Sequence, residues 1–428
     1  MERPLTKHIS FRRPSLALEE YERTGGYAAV RKALKQLTPE DIQQQVLAST
    51  LKGRGGAGFS TGTKWGLIPM GADAPHPKYL IANADEMEPG TFKDRLLLEG
   101  NPHQLIEGMI LSAYAIQADI AYIFLRWAYR KAAVLLQQSI EEAYGAGYLG
   151  KHILGGSWSL EMHLHTGVGR YMCGEETALL NALEGKRATP RAKPPFPQLS
   201  GLFGKPTIVN NVETLCCIPH IVNNGADWFK SLSRCAEGGT KLYGVSGKVN
   251  HPGCWELPMG TTIRELLHHA GGMKNGHRLK GLLPGGASTD FLTEQHLDTP
   301  LDYTSVAAAG SRLGTGTIIV LDDATCPVGF VHNLQHFFAQ ESCGWCTPCR
   351  EGLPWVEKTL LSIERGEATP EDIELLRMHT HMLGPGHTFC ALAPGAMEPL
   401  QSALHYFMDD FERHLTEKKC PYANHLHR

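Results

Sequence analysis

Two periods of hydrophobic and polar positions alternate along the middle of the chain. Short apolar runs, Tyr79-Leu80-Ile81-Ala82, Ile120-Ala121-Tyr122-Ile123-Phe124-Leu125 and Leu160-Glu161-Met162-His163-Leu164-His165, are separated by helically spaced stretches over Leu105 to Ile116, Arg130 to Tyr144 and Glu175 to Leu183. That alternation predicts βαβ units and a parallel sheet covered by helices, from Lys78 to about Asn224. Upstream, Tyr27 to Gln36 reads as a helix. Thr38-Pro39-Glu40-Asp41 then offers a capping hydroxyl, a proline for the first helical position and a following acid, and so starts a second helix through Leu51. The proline-rich stretch Pro190 to Pro206 reads as an ordered surface loop. From Gly239 to Asp323, strand candidates Lys241 to Val245, Gly253 to Leu257 and Gly316 to Leu321 surround one amphipathic helix, Thr262 to Ala270, which predicts a small α+β domain. Beyond it the texture is helical: Val328 to Ala339, Pro354 to Glu364, Pro370 to Met382 and Ala396 to His414 predict a bundle. The expected segments are therefore 1–52, helical; 53–238, sheet and helices; 239–323, α+β; and 324–428, a helical bundle.

Length and composition narrow the class. At 428 residues the chain exceeds what one hydrophobic core supports, and 42% hydrophobic with 20% charged residues is an ordinary globular composition. The net charge of −3, without blocks of either sign, predicts no nucleic-acid or anionic-membrane partner. No 18-residue window is apolar enough to span a membrane; the best, His103 to Leu125, contains Glu107, Gln117 and Asp119. The first twenty residues lack the apolar core of a secretory signal, so a cytoplasmic location is expected. Eleven cysteines, an odd number with three at regular short spacing, suit metal ligation in a reducing compartment better than a disulfide framework.

Four motifs can carry chemistry. Cys343-x2-Cys346-x2-Cys349 with a remote Cys390 offers three closely spaced thiolates and a fourth, a pattern suited to a [4Fe–4S] cluster. Zinc is the competing metal, but paired zinc knuckles leave the middle cysteine of a triplet without a role. Cys216, Cys217, Cys235, Cys254, Cys326 and Cys420 read instead as small buried hydrophobes. The second motif, Gly53-Arg54-Gly55-Gly56-Ala57-Gly58-Phe59-Ser60-Thr61-Gly62-Thr63-Lys64, contains G-x-G-x-x-G, yet a helix precedes it, so the ordinary dinucleotide fingerprint lacks its context. Its glycine density with Arg54 and Lys64 favours a phosphate cradle over a plain flexible loop. Asn83-Ala84-Asp85-Glu86-Met87-Glu88, following a predicted strand, places carboxylates and an amide where open α/β sheets bind ligands; a solvated acidic turn is the alternative. Gly167 to Thr177 follows a strand and opens a helix with Gly174-Glu175-Glu176, whose carboxylates would also serve as plain helix caps.

Glycine loop, acidic turn, Gly-Glu-Glu helix start and cysteine triplet, in that order from about Lys52 to His414, closely resemble the NADH-oxidising flavoprotein (F) subunits of bacterial respiratory complex I, NADH–quinone oxidoreductase. The resemblance implies a Rossmann-like FMN/NADH domain with a parallel sheet, a small β-grasp domain of the SLBB type and a C-terminal helical bundle carrying one [4Fe–4S] cluster. It implies that Gly53 to Thr63 with Lys64 hold FMN phosphate and border the NADH site, and that Phe59 stacks on adenine. Asn83, Asp85 and Glu88 would line flavin and nucleotide, and Tyr171, Gly174, Glu175 and Glu176 would surround the isoalloxazine ring and nicotinamide ribose. Asn210 and Asn211 match a further flavin-binding strip, and Lys193 and Phe196 match NADH contacts. Leu67 stands where some members carry a second stacking phenylalanine. Cys343, Cys346, Cys349 and Cys390 would ligate the cluster. No general acid–base residue is expected, because hydride passes directly from NADH to FMN, which converts a two-electron donor into single-electron transfer toward quinone. Implied partners are a thioredoxin-like [2Fe–2S] subunit (E-type) and a multi-cluster iron–sulfur subunit (G-type), holding the chain at the cytoplasmic side of the inner membrane. The alternative is the diaphorase subunit of an NAD-linked hydrogenase or formate dehydrogenase; those chains often carry an extra thioredoxin-like domain, for which the 52 residues before Gly53 are too few.

Overall fold

A computed structural model describes residues 2–10 and 15–422, so the expected first and last segments each extend past the described residues. The chain forms two compact units: Met1–Met87, Phe92–Leu242 and Trp255–Gly260 make the first, and Glu88–Thr91, Tyr243–Cys254 and Thr261–Arg428 the second.

In the first unit, helices α1 (Leu18–Arg23), α2 (Ala28–Gln36) and α3 (Pro39–Ala48) lead to the five-residue α4 (Thr61–Trp65). Helix α3 starts where its local sequence dictates. Thr38 accepts the Asp41 amide at 3.1 Å, Asp41 accepts the Thr38 amide at 2.8 Å, and Pro39 fills the first turn. Helix α2 starts differently, because Tyr27 is left-handed and brings no capping oxygen. The buried carboxylate of Glu107 lies near this start: it accepts the Tyr21 hydroxyl, and the amides of Tyr27, Ala29 and Val30 are close enough to favour its charge. Burial pushes the Glu107 carboxyl above its ordinary range, and these donors only partly offset it.

The sheet and its cover follow in alternation: β1 (Tyr79–Ala84), α5 (Lys93–Gly100), α6 (Pro102–Ile116), β2 (Ile120–Leu125), α7 (Arg130–Gly145), β3 (Glu161–Thr166), α8 (Glu176–Leu183), α9 (Pro197–Ser200), β4 (Thr207–Asn211), α10 (Val212–Asn224) and α11 (Ala226–Ser231). The strand order is β3-β2-β1-β4, all parallel, with Ile81 opposite both Tyr122 and Val209. On one face Tyr79, Ile81, Phe124 and Val209 pack with Leu179 and Leu180 of α8. Alternate residues Leu80, Ala82, Ile123 and Ile208 are fully buried on the other face, as the two-residue period of a strand requires. That face is covered by α6 and α10. Helix α6 is buried at nearly every position, the property that made it the most membrane-like window, yet among the described residues no helix is long and apolar enough to cross a membrane. The proline stretch, expected as a plain loop, contains the short helix α9.

The second sheet runs β6-β5-β8-β7, from β5 (Thr240–Gly247), β6 (Gly253–Pro258), β7 (Leu279–Leu283) and β8 (Thr317–Asp322), with α12 (Ile263–His269) and α13 (Tyr303–Ala308) between them. Strands β5 and β6 contribute residues to both units. Strand β8 pairs parallel with β5 and antiparallel with β7. The sequence reading omits β7 and α13. Leu279-Lys280-Gly281-Leu282-Leu283 has neither a clean alternation nor a regular register, which shifts between Leu279 and Gly281. The remaining helices are α14 (Pro327–Glu341), α15 (Thr347–Glu364), α16 (Pro370–Met382), α17 (Leu392–Tyr406) and α18 (Met408–Glu417). Helix α15 begins at Thr347 rather than Pro354, so it carries Pro354 inside and Cys349 in its first turn. The expected single helix Ala396 to His414 breaks at Phe407, whose φ of −127° is not helical.

Helices α6 and α10 cross backbone to backbone at Gly108, where an added Cβ would lie 2.0 Å from the Leu215 carbonyl oxygen. Gly108→Ala is therefore expected to force the pair apart, at a cost of about 1–3 kcal/mol or more. Thermal unfolding checks this; a melting temperature equal to that of the unsubstituted protein would show that the crossing has slack.

Candidate functional site

The motifs of the first unit meet at the C-terminal ends of β1 and β4, the edge at which open parallel sheets bind ligands. The glycine loop is tied at its base by an antiparallel bridge between Lys52 and Ser60 and by the Gly53 amide on the Phe59 carbonyl at 2.8 Å. Gly56 and Gly58 have φ of 129° and 65°, which side-chain-bearing residues rarely adopt. Gly55 lies against Asn211, where an added Cβ would come within 3.1 Å of the Asn211 Cβ. Ser60 caps α4 through the Thr63 amide, and the buried Thr61 hydroxyl has no hydrogen-bond partner among the described residues, as a donor awaiting a ligand oxygen would. A backbone bearing only the Ala57 methyl among Gly55, Gly56 and Gly58, beside such a hydroxyl, suits a phosphate; Gly62 packs against Leu47.

Across from the loop, Lys64 donates to the Glu176 carboxylate at 2.7 Å and to the Val209 carbonyl at 2.9 Å. Lys193, in the proline-rich loop, reaches Glu175 at 3.2 Å and Glu176 at 3.3 Å. Glu176 thus sits between two ammonium groups; burial raises its carboxyl, but Lys64 and then Lys193 outweigh burial and hold it below the usual range. Glu175 takes the capping role that its position allowed, accepting the amides of Thr177 at 2.9 Å and Ala178 at 2.8 Å. Asn83 donates to the Gly174 carbonyl at 2.9 Å and accepts the Asp85 amide at 3.1 Å, which joins the end of β1 to the turn Tyr171–Gly174. Asn210 accepts from the buried Trp65 indole at 2.9 Å. Phe59 and Phe196 are 54% and 52% exposed, and Leu67 is exposed too.

Two residues of the expected set have partners of their own. Arg54 is 0% exposed, and its guanidinium donates inward to the carbonyls of Gly238 at 2.9 Å and Thr240 at 3.2 Å, so it is not a cation of the loop's mouth. Its backbone amide donates to Thr214 instead. Glu88 belongs to the second unit, where its carboxylate accepts the Ser288 amide at 2.7 Å.

Below Asn211 lies a buried ion network that motif reading passed over. Lys93 contacts Asp94 and Glu213, each at 2.7 Å, and Lys241 reaches Glu213 at 3.2 Å, all essentially without exposed surface. Asn211 is anchored to it by donating to Asp94 at 2.7 Å. Burial opposes the Glu213 charge, yet Lys241, Lys93 and Arg54 bring its carboxyl down to about 2. Glu86 is pushed the other way, up to about 7, by burial and by Asp94. The charges packed at Lys93-Asp94 and in Val212-Glu213-Thr214 were the available signal, but no spacing rule links them.

In the second unit the triplet bends around Gly344, whose φ of 72° lets the chain turn between Cys343 and Cys346. Cys346 is the residue before α15. Ser342 lies 3.1 Å from the Cys349 sulfur, and Arg350 donates to the Gly344 carbonyl at 3.1 Å. Burial, and then the charges of Cys346, Cys390 and Cys343, push the Cys349 thiol up to about 12, which places those three cysteines within electrostatic reach of Cys349. Four neighbouring thiols, three of them at two-residue spacing, are a donor set that an iron–sulfur cluster fits. Trp345, 59% exposed, and Phe389 stand beside it with ring centroids 6.1 Å apart. Of the cysteines expected to be plain hydrophobes, Cys216, Cys217 and Cys420 are buried, while Cys235, Cys254 and Cys326 are half-buried.

Comparison with known proteins agrees with this arrangement. Residues 46–220 match the Nuo51 FMN-binding domain, residues 242–291 the SLBB domain, and residues 329–414 the NADH-ubiquinone oxidoreductase-F iron-sulfur binding region. The chain is thus an FMN-binding, iron–sulfur oxidoreductase component with a parallel-sheet α/β domain. It is 55% identical over 422 residues to the F subunits of NADH-quinone oxidoreductase from Salmonella typhimurium and from Escherichia coli, covering 98% of this chain and 94% of each relative. The F subunit of the same enzyme from Buchnera aphidicola subsp. Acyrthosiphon pisum is 54% identical over 418 residues, 97% of this chain and 94% of that one. A crystal structure of NAD+-reducing [NiFe]-hydrogenase in the air-oxidized state superposes with a TM-score of 0.83 at 36% identity, covering 95% of this chain and 68% of that one. The chain belongs to the family of NADH-quinone oxidoreductase F subunits.

Glu213 is the carboxylate that the buried Lys93 and Lys241 share, so its removal takes a charge partner from both. Glu213→Gln is expected to cost about 3–5 kcal/mol and to release flavin from the folded protein. Because the folded-state value is depressed, Glu213 contributes stability above pH 4.5 that is lost as pH falls toward about 2. Melting temperature and flavin content measure both; an unchanged variant would remove the network from the site's support.

Proposed function

We propose that this chain is the NADH-oxidising component of a respiratory complex I, taking hydride from NADH at the C-terminal edge of its parallel sheet and passing single electrons out through its cysteine cluster. The observation that carries this reading is the cluster of Lys64, Glu176 and Lys193 beside the glycine loop, a polar clamp of the right chemistry for a nucleotide ribose and its phosphates. Bound FMN would supply the conversion from hydride to single electrons. The residues of the chain position and screen. Gly53 to Thr63 present backbone amides to phosphate; Asn83, Asp85, Tyr171 and Gly174 border the ring; Asn210 and Asn211 hold the loop in place; and Phe59 and Phe196 offer exposed faces for stacking. Cys343, Cys346, Cys349 and Cys390 are the proposed ligands of the [4Fe–4S] cluster. The proposed division of labour follows the segments 53–238, 239–323 and 324–428. The onward acceptors would be a thioredoxin-like [2Fe–2S] subunit (E-type) and a multi-cluster subunit (G-type), with the chain peripheral on the cytoplasmic side of the inner membrane.

Glu176 is the proposed selector of NADH over NADPH. A carboxylate near the ribose accepts its 2′-hydroxyl and repels a 2′-phosphate, and its removal exposes Lys64 and Lys193 to that phosphate. Glu176→Gln should raise the NADPH-to-NADH ratio of kcat/KM by about tenfold, the scale of one charge contact worth ~1.4 kcal/mol. Steady-state turnover with each nucleotide decides, and an unmoved ratio removes Glu176 from that role. For the cluster, Cys390→Ala should abolish the low-temperature electron paramagnetic resonance of the reduced protein while flavin stays bound; an intact signal would mean a different fourth ligand.

A further inference from the structure

A second group of metal-binding side chains lies in the C-terminal helices, separate from the triplet. The ligating atoms of Cys326, Glu364, His414 and Cys420 all lie within 4.8 Å of one another. The Cys326 sulfur is 3.3 Å from the Glu364 carboxylate and 3.4 Å from His414 Nε2, and that nitrogen is 3.2 Å from the same carboxylate oxygen. The Cys420 sulfur lies within 4.8 Å of the other three ligating atoms. Ligands of a tetrahedral zinc, at about 2.0–2.3 Å from the ion, stand roughly 3.3–3.8 Å from each other. The observed separations match that spacing.

The surroundings are those of a ligand set. The Asp410 carbonyl accepts from His414 Nδ1 at 2.7 Å, which fixes the ring and, in the neutral imidazole, turns the Nε2 lone pair toward Glu364 and Cys326. Two acceptors, Nε2 and a carboxylate oxygen, then face each other across 3.2 Å, a contact that a cation between them relieves. Asp410 is itself held by Lys280 at 2.6 Å and by the Tyr422 hydroxyl. The Gly329 amide donates to the Cys326 sulfur at 3.2 Å from the first turn of α14, where the amide end of a helix favours a thiolate. Two thiolates with an imidazole suit zinc, and the hard carboxylate disfavours copper(I). His414 and Cys420 are buried, Cys326 and Glu364 half-buried, and four protein ligands leave no open position.

We propose that Cys326, Glu364, His414 and Cys420 form a structural zinc site that staples the start of α14, the end of α15, α18 and the segment following it. The spacing of Cys326 from Cys420 contains no local motif, so the two read in the sequence as unrelated small hydrophobes.

The full chain, purified with its flavin and iron, tests this by metal analysis and zinc-edge X-ray absorption. About one tightly held zinc per chain is expected, with two sulfur neighbours near 2.3 Å and two nitrogen or oxygen neighbours near 2.0 Å. Cys326→Ser and Cys420→Ser should each lose the zinc and keep iron and flavin. Three results overturn the proposal: full iron with little zinc, zinc retained in both variants, or four sulfur neighbours, which place zinc among the triplet's cysteines. The absorption spectrum of the unsubstituted protein decides even where a variant does not fold.

Discussion

A carboxylate with no exposed surface, Glu213, is shared by Lys93 and Lys241, and the geometry of the first unit's site depends on it. Glu213 lies in the first turn of α10, immediately after β4, so whatever holds it also holds the end of that strand. Through Asp94 the network grips Asn211; through the neighbouring Thr214 it receives the amide of Arg54, and with it the start of the glycine loop. Charges without water are costly unless every partner is in place, so the arrangement tolerates little displacement. The loop can be rich in glycine and still be positioned, because Thr214 and Asn211, which it touches, adjoin these buried ions.

The same constraint explains the division between residues that face a ligand and residues that hold the frame. Arg54, a cation inside a phosphate-type loop, commits its charge to the carbonyls of Gly238 and Thr240, whereas Lys64, five residues past Phe59, meets Glu176 at the sheet edge. Adjacent glutamates divide likewise. Glu175 is occupied by the amides at the start of α8, and Glu176 is left to the two lysines.

Features encoded locally were legible in the sequence. The capping box of Thr38 and Asp41 and the clean apolar run of β2 need only neighbouring residues, and the observed elements start and end close to where those residues place them. The parallel α/β class followed from the alternation of strand and helix periods. Strand β4 escaped because five residues ending in two asparagines run directly into α10, leaving no turn to mark either element. The long-range pairings escaped for a different reason. Tyr21 bonding Glu107, Lys193 reaching Glu176, and Cys326 meeting Cys420 join positions whose separation follows no period, so only the folded chain brings them together. In the candidate site the glycine loop, the Gly174-Glu175-Glu176 turn and the cysteine triplet could be named in advance, while the partners of Arg54 and Glu88 could not.

Helix α15 begins at the cysteine triplet, with Cys346 just before its first residue and Cys349 inside its first turn, and it runs for 18 residues. Its peptide dipoles therefore align with their positive end on the sulfurs. Negative charge arriving there is met by an oriented backbone field as well as by Arg350 nearby. An iron–sulfur cluster held by these cysteines would be reduced more readily at this helix start than on an irregular loop, so the direction of α15 would supply part of the driving force for drawing electrons away from the nucleotide.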